Sequence, residues 1–343
     1  MIKLLPNDKN TTPKSAESQT PLERGLLLWW ASGKTGVRQV WRLAAECQPT
    51  TMQWQRLAFA MAWMDNPEAL EVVAQHCDVL ALRSNCVIDE APPSWAEVDE
   101  IDEESLRAAQ DCARDRSSLL SFSASAGSLS AVEWLLERGA NPAARDAFGR
   151  TPLMAAAAAG ESACVNALLP VSDACACAHN GKSALSFSME QMWDDEASPL
   201  AIAQAGFGSP DFAKTLKARD NEGLTPLMQA AMRGYANVVH MVVARSDRTA
   251  RSPMGHTAFD LAQRSPECAD ILSEGMPLEK IACSRVWVEA VEKGETQRLP
   301  RIAARMEAEA LRSAITGVQD GRAGAEEEPA ESVNKAPRPS SRI

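Results

Sequence analysis

The sequence predicts an all-α protein in which short helix–turn–helix units stack into a solenoid. The tetrapeptide Thr-Pro-Leu-Met occurs twice, at residues 151–154 and 225–228, and each copy begins two residues after a glycine. The glycines at this position recur at intervals of 32, 42 and 32 residues, and they are Gly149, Gly181, Gly223 and Gly255. Self-similarity at such a period indicates a repeat architecture, because one unit of this size cannot bury its own apolar face.

Each unit is expected to contain a short first helix, a glycine and a second helix. Thr151 and Thr225 are expected to cap the first helix, followed by a proline at its first position, where a missing N–H costs nothing. Glycine then ends this helix because it accepts the left-handed conformation of a C-cap. The glycines at this position are Gly127, Gly160 and Gly234. Apolar residues follow each of them at offsets of 4, 5, 8 and 9, which places one apolar face on the second helix.

The run from Asp146 to Gly160 and the segment Trp-Leu-Leu-Glu-Arg-Gly-Ala-Asn-Pro ending at Pro142 resemble the ankyrin repeat. The resemblance covers residues 117–275 and implies repeats with β-hairpin loops between them. We count four to five repeats, at 117–145, 146–177, 178–219, 220–251 and a shortened 252–275. The histidine of the ankyrin consensus is replaced here by Met154, Ser186, Met228 and Asp260. Cohesion between repeats is therefore expected to depend more on packing.

The N-terminal part is expected to be helical after a short leader. Residues 6–20 are mostly polar, so residues 1–20 predict a disordered leader, with the export signal of a bacterial effector as the alternative. Residues 21–83 hold five of the nine tryptophans and predict a helical region that packs them in a core. This region continues the stack as degenerate ankyrin-like repeats or forms a separate cap. The Gly-Lys-Thr at 33–35 lacks the earlier glycine of a P-loop, since position 28 is Leu28, and predicts a turn without nucleotide affinity.

The remaining segments flank the repeats. Residues 84–116 predict an acidic linker and a helix, because residues 89–104 hold eight acids and no base. That acidic strip is expected to be solvated, with docking of a basic partner as the alternative. Residues 276–316 predict two C-terminal capping helices, at about 278–293 and 299–316. Residues 317–343 predict a disordered tail.

Composition restricts the class of protein. The formal net charge is −11, which argues against nucleic-acid binding. No apolar run is long enough for a membrane span. Nine cysteines without a signal peptide indicate reduced thiols in the cytoplasm, with delivery into a host cell by a bacterial secretion system as the alternative.

No constellation of residues predicts catalysis, a cofactor or a metal. Cys175, Cys177 and His179 offer three metal ligands, but no fourth lies nearby in sequence, so free thiols are expected. His76 and His240 lie on apolar second helices and are expected to be packed. The acidic cluster at 194–196 is expected to begin a solvated inserted loop, with an active-site carboxylate pair as the alternative.

The resemblance implies a non-catalytic module that binds a partner protein on the concave face of the stack. The alternative is an effector or toxin with an enzymatic activity in the N-terminal region and the repeats as its targeting module. On the concave face, exposed apolar residues are expected to form a strip, with Arg150, Lys182 and Arg233 available for acidic groups. The partner-binding residues carried over from the repeat pattern are Phe148, Arg150, His179, Asn180, Lys182, Asn221, Glu222, Leu224, Met232, Arg233, Met254 and His256. The identity of the partner and the oligomeric state are left open.

Overall fold

The computed structural model describes Ala44 and residues 49–84, 115–190 and 196–325, with side chains up to residue 313. The predicted leader, the turn at 33–35, the acidic strip at 89–104, most of the 194–196 cluster and the end of the tail lie outside these residues. The described residues form helices and no named strand, as the predicted all-α class requires. None of the described helices is both long and apolar enough to cross a bilayer.

Sixteen α-helices are described. They are α1 (Thr51–Trp63), α2 (Pro67–Val73), α3 (Leu119–Ser125), α4 (Leu129–Glu137), α5 (Pro152–Ala159), α6 (Ser162–Leu168), α7 (Ala184–Ser188), α8 (Ala197–Phe207), α9 (Phe212–Thr215), α10 (Pro226–Arg233), α11 (Ala236–Val242), α12 (Ala258–Leu261), α13 (Pro266–Leu272), α14 (Leu278–Ala282), α15 (Arg285–Glu292) and α16 (Pro300–Ala325). Short 3₁₀ turns follow α6, α12 and α15.

The helices contact one another in two rows. In the first row, α1, α3, α5, α7, α10 and α12 each pack against the next. In the second row, α2, α4, α6, α8, α11, α13 and α16 do the same. Helix pairs flank Gly127, Gly160 and Gly234, as the sequence predicts.

The ends of the first helices follow the predicted capping chemistry. Thr151 accepts a hydrogen bond from the backbone N–H of Met154, and Pro152 occupies the first helical position. Gly160 ends the helix with φ of 79°, a left-handed conformation that glycine adopts without strain. Thr225 and Gly234 repeat this arrangement around α10. The repeated tetrapeptide is therefore explained by helix initiation.

The core lies between the two rows. Leu168, Val238 and Val239 are completely buried at the offsets that the sequence predicts. Ala156 and Ala157 are also completely buried, and their small side chains let α5 lie close to its neighbours α3 and α7. Burial of apolar area of this kind contributes about 25 cal/mol per Å² and is the main term that holds the rows together.

The loops between units are tight turns rather than stranded β-hairpins. In the loop after α4, the N–H of Asp146 donates to the carbonyl of Arg150 (3.0 Å), and the N–H of Gly149 donates to that of Asp146 (3.1 Å). Gly149 has φ of 77°, the conformation needed for this turn. The same pair of hydrogen bonds closes residues 178–182, 220–224 and 252–256. The extended segments on either side are too short to pair beyond an isolated bridge at Cys177 and Ser183.

Several expectations are wrong in detail. Trp63 was expected in the core but is 54% exposed, because it is the last residue of α1, where the chain turns toward α2. His240 is exposed because the buried face of α11 is formed by Val238 and Val239, together with Val242. His76 is also exposed, and its ring stacks on Trp54 with centroids 4.1 Å apart.

The C-terminal region differs from the two helices that were predicted. The segment at 278–293 is split into α14 and α15, because Ser284 caps a new helix by accepting from the N–H of Trp287. Helix α16 continues to Ala325 instead of ending at 316. Isolated glycines cost a helix only about 1 kcal/mol each, and the residues between them include good helix formers.

Candidate functional site

The loop tips of successive units stack on one another. These tips, residues 147–148, 179–180, 221–222 and 253–254, are here called the tip surface. The N–H of Ala147 donates to the carbonyl of Asp115 (2.7 Å), and the N–H of His179 donates to that of Phe148 (2.9 Å). A Cβ on Gly149 would lie 2.6 Å from the His179 ring, so another residue there would displace this ring as well as strain the backbone. A backbone hydrogen bond thus joins the first two tips.

Arginines placed just before the turns tie neighbouring loops together. Nη1 of Arg145 donates to the carbonyls of Gly149 (2.7 Å) and Cys177 (2.8 Å). Nη1 of Arg219 donates in the same way to Gly223 (2.6 Å) and Arg251 (2.7 Å). These bridges were missed in the sequence, where the absence of the consensus histidine predicted cohesion by packing. The available signal was the recurrence of arginine directly before the turn residue.

Exposed apolar side chains on the tip surface do not form a continuous strip. Phe148 is 54% exposed and Met254 is 83% exposed, whereas Asn180 and Glu222 occupy the equivalent positions in the two units between them. Leu224 is half-buried and packs against the core, so it contributes less than expected. The remaining uncharged or weakly basic candidates His179, Asn221 and His256 are exposed.

The three cations expected to receive acidic groups are already engaged within the chain. Arg150 contacts Asp146 (2.6 Å) and Asp115 (2.8 Å), and its guanidinium lies 5.2 Å from the ring centroid of Phe148. Burial lowers the pKa of Arg150, but the hydrogen bonds and charges of the two carboxylates outweigh burial and raise it overall. The structure thus places Arg150 between two carboxylates of the chain itself.

Lys182 and Arg233 converge on one glutamate. The ammonium of Lys182 lies 2.6 Å from the carboxylate of Glu190, with Glu222 at 4.0 Å. Burial lowers the pKa of Lys182, but the hydrogen bond and charge of Glu190 raise it overall. Arg233 is half-buried and donates to the backbone carbonyl of Glu190. Lys182 is therefore paired with carboxylates of the chain itself, whereas Arg233 is held by a backbone carbonyl across the junction of the third and fourth units.

The C-terminal ends of the first helices add a second line of side chains. Trp63 and Met232 each lie two residues before the end-capping turn and are exposed. Ser125, Ala158 and Glu190 occupy the corresponding places in the three units between them. Trp63 was not among the predicted site residues, because the tryptophans were all assigned to the core.

The cysteine-rich loop has the features of a structural segment. Cys177 is half-buried, burial raises the pKa of its thiol, and its carbonyl accepts the Arg145 bridge. Among the residues that the structure describes, no three His, Cys, Asp or Glu side chains cluster closely enough to hold a metal ion.

Comparison with known proteins identifies the repeated unit. The protein-family model for ankyrin repeats matches residues 120–203 with three copies, which spans α3 to most of α8. This part of the chain is an ankyrin-repeat segment, and ankyrin repeats are generally non-catalytic modules of protein–protein interaction. A search of curated proteins finds no match to this chain.

Proposed function

We propose that this protein is a non-catalytic interaction protein that binds a partner protein on the concave face of one continuous ankyrin solenoid. The concave face consists of the tip surface and the exposed ends of the first helices. The proposal extends the solenoid beyond the matched segment, from α1 at one end to α16 at the other. The observation that carries it is the exposure of large apolar side chains at equivalent positions of different units.

The extension of the solenoid is supported by one contact that recurs at both ends. An acidic side chain of one unit accepts a hydrogen bond from the third N–H of the second-row helix in the next unit. Asp65 accepts from Ala131 (2.7 Å) in α4, Glu196 from Val238 (2.8 Å) in α11, and Asp270 from Ile302 (2.9 Å) in α16. Neither α4 nor α11 has a capping hydrogen bond from its own N-cap side chain. The carboxylates therefore satisfy helix ends that would otherwise need water.

The chemistry of the concave face favours an apolar and hydrogen-bonding partner over an acidic one. Phe148, Met254, Met232 and Trp63 offer apolar contact area, and aromatic side chains are among the commonest interface anchors. The tips between them offer the exposed amide of Asn221 and the imidazole of His179. Arg150 and Lys182 are paired with carboxylates of the chain itself, so these two cations are less available to an acidic partner.

We also propose that the protein acts in the reducing cytoplasm, either of the cell that makes it or of a host cell into which it is delivered. Five of the described cysteines, Cys164, Cys175, Cys177, Cys268 and Cys283, are free thiols. No geometric feature of the described residues favours an additional enzymatic activity, and α1 and α2 resemble the other helix pairs in their packing.

The test is capture of a partner by the full-length protein and by a variant with Phe148→Ser and Met254→Ser. Both side chains are exposed, so the variant is expected to fold and to lose the partner that the wild type captures. The matched control is Val171→Ser, which changes an exposed apolar residue after α6, outside the tip surface. A partner that binds all three proteins equally would show that the concave face is not the binding surface.

A further inference from the structure

A cavity on a different part of the molecule collects basic side chains. It has a volume of about 540 Å³ and lies between the end of α9, the start of α10 and the loop after α11. Its lining includes three basic side chains, those of Lys217, Arg219 and Arg245. It includes a single carboxylate, that of Asp247. This cavity, with Thr225 and the backbone of 244–250, is here called the basic crevice. An excess of cations is notable in a chain whose net charge is −11.

The arginines of the basic crevice are held by neutral groups. Arg245 donates from Nη1 to the carbonyl of Phe207 (2.9 Å), and its guanidinium lies 3.8 Å from the centroid of the Phe207 ring. Arg219 donates from Nη1 to two carbonyls. Carbonyls and an aromatic face orient a guanidinium without cancelling its charge. Because a guanidinium has five N–H donors, several donors of each arginine remain available to a ligand.

The charge balance in the basic crevice is therefore unlike that of the tip surface. Within the described residues, none of Lys217, Arg219 and Arg245 forms an ion pair with a carboxylate. The hydrogen bond to Asp247 from the Thr249 side chain lowers the pKa of Asp247, so this acid is charged at neutral pH and offsets one of the three cations. The neighbouring Arg248 is paired with Glu274.

We propose that the basic crevice binds an acidic peptide segment of a partner protein. Two oriented guanidiniums and a flexible ammonium suit a ligand with several carboxylates, and Arg forms bidentate pairs with carboxylates. The volume lies within the roughly 300–1,000 Å³ typical of ligand sites. Arginines that are oriented before binding lose less side-chain entropy when the ligand arrives. The crevice adjoins the tip at 221–222, because Arg219 also donates to the carbonyl of Gly223, but its lining residues are not among those of the concave face.

The test uses fluorescence anisotropy of the full-length protein with a labelled peptide of four Glu-Ser pairs, and with the same peptide carrying Gln for Glu. The Glu peptide is expected to bind and the Gln peptide not to. Lys217→Gln with Arg245→Gln is expected to weaken binding by at least about tenfold, since hydrogen bonds between charged groups are the strong ones. The matched control, Lys214→Gln with Arg264→Gln, removes two exposed cations outside the crevice and is expected to change affinity by less than about twofold.

Four outcomes would overturn the proposal. The Glu peptide could bind no better than the Gln peptide, or the control variant could lose as much affinity as the crevice variant. Inorganic phosphate that displaces the peptide at about 1 mM would show selection of phosphate instead of a carboxylate peptide. Replacement of the acids at 89–104 by their amides could raise peptide affinity about tenfold, which would make the protein's own acidic strip the occupant. Circular dichroism and thermal melting of each variant separate loss of binding from loss of fold.

Discussion

The basic side chains beside the tip surface and those in the basic crevice are of the same kinds, but they differ in the groups that hold them. Beside the tip surface, Arg150 and Lys182 are each held by carboxylates at 2.6 Å. In the basic crevice, Arg219 and Arg245 are held by backbone carbonyls. A carboxylate removes most of the attraction that a cation exerts on a ligand, whereas a carbonyl does not. The acceptor beside a cation thus decides how much of its charge remains for a ligand.

The largest expected effect is loss of both surfaces together. Leu168 is completely buried in α6, and Leu168→Asp would place an unpaired charge in the core between the rows. We expect a loss of about 4 kcal/mol or more in the free energy of unfolding. Urea denaturation of the variant measures it. Asn166→Asp, on the exposed side of the same helix, is the control and should be close to wild type. Equal stability of the two variants would contradict the repeat frame.

A smaller effect is expected from breaking the tip surface alone. The Asp146 carboxylate accepts from the N–H groups of Phe148 and Arg150 and pairs with the Arg150 side chain. Asp146→Ala should therefore cost about 2 kcal/mol in the free energy of unfolding, since it leaves several donors unpaired. Asp173→Ala removes an exposed aspartate that caps only the Cys175 N–H and should cost less than about 1 kcal/mol. If both changes cost the same, the Arg150 network does not hold the turn.

Binding on the concave face should be lost without loss of stability. Once a partner has been captured, Phe148→Ala with Met254→Ala should weaken its affinity by about 2 kcal/mol, measured by calorimetry. The melting temperature should stay near that of wild type because both side chains are largely exposed. The crevice change Lys217→Gln should leave this affinity unchanged. An equal loss for both variants would mean that the two surfaces act as one.

The smallest effect concerns an ion pair that ties α12 to α14. The Lys280 ammonium lies 2.9 Å from the Asp260 carboxylate. Burial raises the pKa of Asp260, but hydrogen bonds from Thr257 and Lys280 outweigh burial and lower it overall. A lowered folded-state pKa stabilises the protein above the ordinary pKa, and this stability is lost as the pH falls through the folded-state pKa.

Asp260→Asn should therefore be less stable than wild type at pH 7, and the difference should shrink below pH of about 4. Because Lys280 is more than a third exposed, the difference at pH 7 is expected to be only about 0.5–1 kcal/mol. Urea denaturation of both proteins between pH 2.5 and 7 (a range set about the ordinary carboxyl pKa) measures it. A difference that does not depend on pH would rule out the ion pair as its cause.

The repeated units of the fold could be predicted from local chemistry. Thr151, Pro152 and Gly160 specify where a short helix begins and ends, and these preferences depend on the backbone conformation of a few adjacent residues. The spacing of the apolar residues after Gly234 likewise specifies the buried face of α11, because a helix places residues at this spacing on one side. Exposure of Phe148 at a loop tip was also predicted, because turns of this kind lie on the surface.

The amino-acid sequence by itself determined the helix pairs, their caps and the position of the tips, because these depend on interactions between residues close together in the chain. Only the tertiary structure decided the state of the charged residues. Arg150 meets Asp115 from the preceding unit, and Arg245 meets the Phe207 carbonyl from another. Such contacts join residues more than thirty positions apart, and their partners are set by how units stack. The same stacking decided that Trp63 is exposed and that Asp270 caps α16.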